Sequence, residues 1–358
     1  MSTDESVLGV PRFTKHTVSI DYVVTRYDDD DSRERLSEDG DLIKIEFEGG
    51  KLSWIPSYKS LRVLYCGENE VTSLPRCDNL QYLTCCSNRS QSLPSYPKVK
   101  MLYCPGNQLV SLPSFSKVKG LTCSDNQIIN HSRCKKLNHL ECRDNQLTTL
   151  PPYPNLRRLD CSENRITSVP EYPNLEYAHF DDNRLTSLPV YPKVKILYCR
   201  RNPLVWLPSY PELVDLECWS NEMISLSTCP KLRVLRCENN RLTSLPEFPN
   251  MYMLSCSKNR LTTLLEYPKL TKLYCEKNQL TALPACSAMT EIHCEKNQIT
   301  TLPEYPDLTE LYCADNQITS LPHYPNLTQV DLTGNPLAAK MQDPKSITEY
   351  HAMYETKG

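Results

Sequence analysis

Apolar residues return along this chain every 19 positions. The stretch from Leu232 to Asn250, LRVLRCENNRLTSLPEFPN, shows the unit. Leu232, Leu235, Cys237, Leu242, Leu245 and Phe248 are apolar, Asn240 is set among them, and polar residues and prolines fill most of the rest. Units begin at Leu42, Leu61, Leu80, Val99, Val118, Leu137, Leu156, Leu175, Val194, Leu213, Leu232, Met251, Leu270, Met289, Leu308 and Leu327, without one insertion or deletion. A period this strict marks a stacked architecture, in which each unit buries its apolar face against its neighbours.

From Leu61 the units follow L-x-x-L-x-C-x-x-N-x-L-T-x-L-P-x-Y-P-x. Alternation around position four predicts a short strand, with positions four and six inward and positions three, five and seven outward. One strand per unit predicts a parallel sheet with a spacing of about 4.8 Å, or roughly 70 Å over the sixteen units. Position fifteen is proline in twelve units, Pro56, Pro75 and Pro246 among them, and position eighteen is proline in Pro97, Pro154 and Pro249. Proline removes a donor and keeps its predecessor out of the helical region, so this side is predicted extended or polyproline-like. Position nine is asparagine in fifteen units, Asn69 to Asn335. An inward amide without partners costs about 1–3 kcal/mol, so the column is predicted to be a structural ladder rather than a set of active-site amides.

Departures from the pattern carry expectations of their own. Ala178 and Phe180 stand where other units have Leu and Cys, a small residue beside a large one that roughly conserves volume. His131 and Ser132 replace Leu and Pro, predicting a locally irregular convex edge with His131 strained or solvated. Ser90 replaces a core aliphatic and predicts a soft spot. Residues 1–41 read as an N-terminal acidic segment and cap, with strand-like Thr17 to Tyr27 and the acidic run Asp28 to Asp31. Residues 42–340 read as the solenoid and 341–358 as a C-terminal cap. There Ser346 and Glu349 match a capping box opening a helix to about Tyr354, with Ile347 and Tyr350 over the last turn.

Composition narrows the function classes. The formal charge of −3 is well mixed, which leaves no basic footprint for nucleic acid. No apolar run approaches the roughly 20 residues of a membrane span, and the polar N-terminus MSTDESVLGV is unlike a secretory signal. Thirteen of the eighteen cysteines share position six, from Cys66 to Cys313. Cys77, Cys134, Cys229 and Cys286 share position seventeen, where most units carry Tyr or Phe. Both columns read as interior thiols, which predicts a reducing, cytoplasmic setting. Cys86, beside inward Cys85, is predicted to point outward. There is no CxxC, HExxH, phosphate-binding loop or dinucleotide fingerprint. Stacked thiols among leucines are hard to deprotonate, as metal binding requires, so no catalytic, cofactor or metal residue is expected.

The repeated LxxLxCxxNxL resembles the leucine-rich repeat family, whose hallmark is LxxLxLxxNxL. The LTxLPxYP half and the Cys at position six resemble the shortest class, that of secreted bacterial effectors and of giant DNA viruses of amoebae. The effectors join their repeats to a ubiquitin-ligase domain with a nucleophilic Cys, but no Cys follows Cys313 here. The resemblance implies an α/β-type leucine-rich repeat solenoid, mostly β and extended, with a curved parallel sheet on its concave face. It implies that this face grips a protein.

The predicted binding residues on the concave face are Tyr65, Tyr82, Tyr103, Arg158, Tyr177, Tyr198, Arg200, Trp219, Arg236, Tyr252, Tyr274 and Tyr312. Exposed aromatics with arginine are what protein interfaces enrich. Lys272, Glu276, Glu291, His293, Glu295 and Glu310 make the last third of that face acidic. The expected function is a monomeric, non-enzymatic protein-binding module, with a structural role in a larger assembly such as a virus particle as the alternative.

Overall fold

The computed structural model describes residues 32–36, 42–47 and 49–355. Strand-like Thr17 to Tyr27 and the run Asp28 to Asp31 lie outside the described residues. Sixteen parallel strands, from Leu42–Phe47 to Gln329–Asp331, form one continuous sheet. Each residue pairs with the residue 19 positions on, as in Lys44 with Val63 and Ile196 with Asp215. Fifteen strands have only three residues, because the chain must turn at position eight in every unit. A further strand, Ser32–Leu36, pairs antiparallel with Leu42–Phe47 and covers the first edge. The repeat pattern gave no sign of it, since it precedes the first unit.

The inward columns behave as their parity requires. Leu64, Cys66, Leu235 and Cys237 are fully buried, as are Ala178 and Phe180. At position seventeen Tyr153, Tyr172, Tyr191 and Tyr210 stack with centroid separations of 6.2 to 6.3 Å. A buried Tyr hydroxyl needs a partner. Tyr96, Tyr172, Tyr191 and Tyr210 donate to the position-fifteen proline carbonyl one turn back at 3.0 to 3.4 Å, and Tyr153 meets Ser132 and His131 there instead. Proline on the return strand thus keeps a bare carbonyl in place as well as excluding a helix. Seventeen of the eighteen cysteines are buried thiols, and Cys86 is half-buried with its Sγ over Gly67.

The asparagine ladder forms. Asn183 Nδ2 donates to the carbonyls of Phe180 and Asp181 in its own turn at 3.1 and 3.0 Å, and of Cys161 in the preceding turn at 2.9 Å. Its Oδ1 accepts the Ile166 N–H at 2.9 Å. One amide therefore closes its own turn and ties it to the last. The tie has a consequence at position eight. Thirteen non-glycine residues there, Glu68 to Asp315, hold φ between 49° and 57°. Gly49, Gly106 and Gly334 fill the same column. A left-handed residue costs about 1–2 kcal/mol, which the neighbouring amide bonds offset.

Two expectations at the edges change. His131 is buried, not solvated: Nδ1 lies 3.1 Å from the Ser132 carbonyl and 2.5 Å from the Tyr153 hydroxyl. The imidazole fills the space left by the missing leucine, and burial lowers its pKa to about 4. Ser132 Oγ donates to Leu112 O at 2.9 Å, so the edge is repaired by side-chain hydrogen bonds. Ser90 is fully buried, with Oγ bonded to Val71 O at 3.1 Å.

At the other end the helix Ile347–Glu355 follows a short 3-10 turn, Pro336–Lys340. Ser346 Oγ caps the Glu349 N–H at 3.2 Å, but Glu349 reaches the Gln342 and Asp343 N–H groups rather than closing the box on Ser346. The Ser346 N–H is taken by Asp343 O at 2.9 Å. Tyr350 is fully buried, donates to Pro322 O at 3.0 Å and accepts the Tyr324 N–H at 2.9 Å, sealing the last turn.

Two measurements check this account. Asn183→Ala removes four hydrogen bonds at one rung and should cost about 3 kcal/mol in denaturant unfolding. A loss under about 1 kcal/mol would refute the ladder's structural weight. Thiol titration of the native chain should label no more than one cysteine quickly, with the rest reacting only after denaturation.

Candidate binding face

Positions three and five of each strand and position seven just beyond it line the open face of the sheet. Because the register never shifts, each column presents a line of side chains one strand apart. The predicted residues fall into three groups on this face. Near the start Tyr82 is 41 % exposed and the Lys44 ammonium lies 5.1 Å from the Tyr65 ring. Tyr103 is half-buried, and beyond it Gly120 is covered by the Met101 side chain while Thr122 is buried.

The central group is the most tightly knit. Arg158 pairs in register with Tyr177, and the Tyr177 ring meets Tyr198 edge-on at 6.0 Å. The Arg200 guanidinium lies 5.9 Å from the Tyr198 ring and 5.3 Å from the Trp219 ring, and Arg201 lies 5.0 Å from the same indole. Cation–π contacts of this kind contribute about 0.5–1 kcal/mol at exposed sites. They hold Trp219 half-exposed in a fixed orientation.

Beneath these rings runs an ionic network that the residue-by-residue reading passed over. His179 Nε2 is 2.6 Å from Asp181 and its Nδ1 is 3.3 Å from Asp160. Arg200 grips Asp181 on one side and Glu217 at 3.2 Å on the other. Arg236 joins Glu217 at 3.0 Å and Asp215 at 3.7 Å. Arg200 and Arg236 are thus braces within the face rather than unengaged anchors. The same outward parity that selected Tyr177 and Tyr198 also holds at His179, Asp181, Asp215 and Glu217, and would have found them. Burial alone lowers the His179 pKa, but hydrogen bonds and charge from Asp160 and Asp181 outweigh it and raise the value to about 9. Burial pushes the Asp215 carboxyl up to about 6, despite Arg236.

Tyr252 does not belong to this set. It occupies position two, one residue before the strand Met253–Ser255, whose own residues take the face positions of that unit. It is 45 % exposed at the strand's entry. Ser255 leaves a recess beside Trp219, where an open groove of about 460 Å³ passes Glu238 and Ser257 to Tyr274 and Glu276. In the last third His293 lies between Tyr274, tilted against it with centroids 4.9 Å apart, and Tyr312, stacked on it at 4.4 Å. The Tyr274 hydroxyl donates to Glu291 at 2.5 Å, and Tyr312 donates to Gln329.

Away from this face, Val205, Trp206 and Ile224 form an exposed apolar group just past the asparagine column, at 39, 50 and 56 % exposure. It lies where most units carry Thr and Ser, and those substitutions were legible in the sequence. No described helix is long and apolar enough to cross a membrane.

The charge state of His179 is testable. A base whose pKa rises on folding adds stability that is complete below the unfolded value of about 6.5 and is lost as pH climbs through the folded value. Stability should therefore decline from pH about 6.5 to about 9. His179→Asn should remove that part of the slope, on the order of 2 kcal/mol, in denaturant unfolding at a series of pH values. Parallel wild-type and variant curves would refute the ion-paired imidazolium.

Comparison with known proteins agrees with this geometry. The family description Leucine Rich repeats (2 copies) matches residues 135–174. No curated relative matches the chain. Among solved structures, YopM from Yersinia enterocolitica WA-314 is 26 % identical, with a TM-score of 0.65 and 82 % of each chain covered. YopM from Yersinia pestis, a leucine-rich effector protein, is also 26 % identical, with a TM-score of 0.69 over 79 % of this chain and 86 % of that one. The functional domain of InlJ from Listeria monocytogenes, which includes a cysteine ladder, shares the fold at 22 % identity and a TM-score of 0.53, over 66 % of this chain and 63 % of that one. Sixteen parallel strands at a 19-residue period, the family match over residues 135–174 and these neighbours show that the fold is a leucine-rich repeat solenoid.

Proposed function

We propose that the chain is a non-enzymatic module that holds a protein partner on the concave face of its sheet. Leucine-rich repeat proteins commonly mediate protein–protein interaction. The observation that carries the reading here is Trp219, held half-exposed by Arg200 and Arg201 at the mouth of the open groove. A large amphipathic ring, pre-oriented and beside a recess, is what an interface hot spot requires. Its orientation is fixed before binding, so little side-chain entropy is lost when a partner docks. The Tyr198 ring extends the same surface. The acidic final third, with Glu276, Glu291, Glu295 and Glu310, orients a partner that brings basic residues there. The buried thiol columns support a reducing compartment such as the cytoplasm.

A second reading, a structural component of a larger assembly such as a virus particle, draws support from Val205, Trp206 and Ile224. Their exposed apolar group stands outside the concave face and suits permanent contact.

Affinity capture from the native cell separates the two. Trp219→Ala with Tyr198→Ala should reduce capture of the partner at least about tenfold, the loss of one hot-spot side chain, while unfolding is unchanged. Arg200 is left intact because its loss would remove the guanidinium that braces both Asp181 and Glu217. Capture unaffected by the double variant but lost in Trp206→Ser would favour the assembly reading.

A further inference from the structure

His293 ends the strand Glu291–His293 at position five of its unit, between two columns of carboxylates. On the position-three side are Glu291 and Glu310, and on the position-seven side Glu276 and Glu295. In each set one atom of the imidazole and one oxygen of each carboxylate lie within 4.8 Å of one another. The two sides differ in how their charges are met. Glu291 receives the Lys272 ammonium at 2.7 Å and the Tyr274 hydroxyl at 2.5 Å. Glu295 has a buried oxygen, Oε2, with no hydrogen-bond partner among the described residues. Lys258, Lys277 and Lys296 line the open recess of about 310 Å³ beside Glu276 and Glu295. Among the described residues none of the three forms an ion pair with either carboxylate.

We propose that Glu276, His293 and Glu295 bind a divalent transition-metal ion of the Zn²⁺ class. One imidazole nitrogen and two carboxylate oxygens are a donor set that Zn²⁺ accepts. Three protein donors with a fourth position open to the recess match a solvent-accessible tetrahedral site. Donors around such an ion at about 2.0–2.2 Å stand roughly 3.4 Å apart, so modest side-chain rotation closes the cluster. The supporting contacts are in place. His293 Nε2 lies 3.3 Å from Glu291, which leaves Nδ1 for the ion and orients the ring as outer carboxylates do at zinc sites. Tyr274 and Tyr312 hold that ring from both faces. The thiols of Cys275, Cys294 and Cys313 do not compete, because all three are fully buried in the core. Glu276 also lines the groove that begins at Trp219, but Zn²⁺ binding is read without a partner present, so it can fail independently of partner capture.

Calorimetric titration of the full chain with Zn²⁺ tests the assignment, and Co²⁺ absorption spectra identify the donor atoms. One equivalent should bind, with a Co²⁺ spectrum free of thiolate charge-transfer bands. Glu295→Gln, Glu276→Gln and His293→Ala should each weaken binding at least about tenfold, while Glu310→Gln leaves it unchanged. These side chains lie on the outward face of the sheet, and circular dichroism of two independent ligand variants controls for folding. No binding, a thiolate spectrum, or binding that survives Glu295→Gln but is lost in Glu310→Gln overturns the proposal.

Discussion

The side-chain amide at position nine is the contact on which the rest of this structure depends. At Asn183 and its equivalents, one group bonds to carbonyls of two successive turns and accepts an N–H from the earlier turn. No other polar residue offers two donors and an acceptor on so short a stem. The amide holds the left-handed residue at position eight, which ends each strand after three residues and starts the return. Short strands in constant register follow, and the columns of the face follow from constant register.

That constancy separates residues that build from residues that can differ. Leucine, thiol, tyrosine and proline columns repeat because each turn meets the same neighbours. The outward columns meet a neighbour on each side and solvent above, so their chemistry changes along the chain. Around Tyr177 to Trp219 they carry aromatics braced by arginine over an acidic layer. Farther on, glutamates surround a stacked histidine. One scaffold therefore supports two chemically distinct regions, and a partner need not involve both.

Much of this was legible in the sequence. The period placed all sixteen units, parity placed the buried columns and most of the outward residues, and Ser346 located the final helix. What parity could not convey was engagement. Arg200 and Arg236 read as anchors but serve as braces, because their acidic partners arrive from neighbouring turns, 17 to 21 residues away. His131 read as a strained or solvated edge residue; the gap left by a missing leucine and the Tyr153 hydroxyl drew it inside, where its Nε2 is buried with no hydrogen-bond partner among the described residues. Tyr252 shows the converse: applied strictly, the count from Met251 puts it one residue ahead of the strand.

The sequence by itself determined the period, the fold and which side of the sheet each residue occupies, since these follow from local alternation and repetition. Only the tertiary structure decided which outward groups neutralise one another and which are left wanting a partner. That is settled by distances between side chains from different turns. Glu291 and Glu295 are four residues apart on the same face, but one meets a lysine and the other keeps a buried oxygen with no hydrogen bond among the described residues.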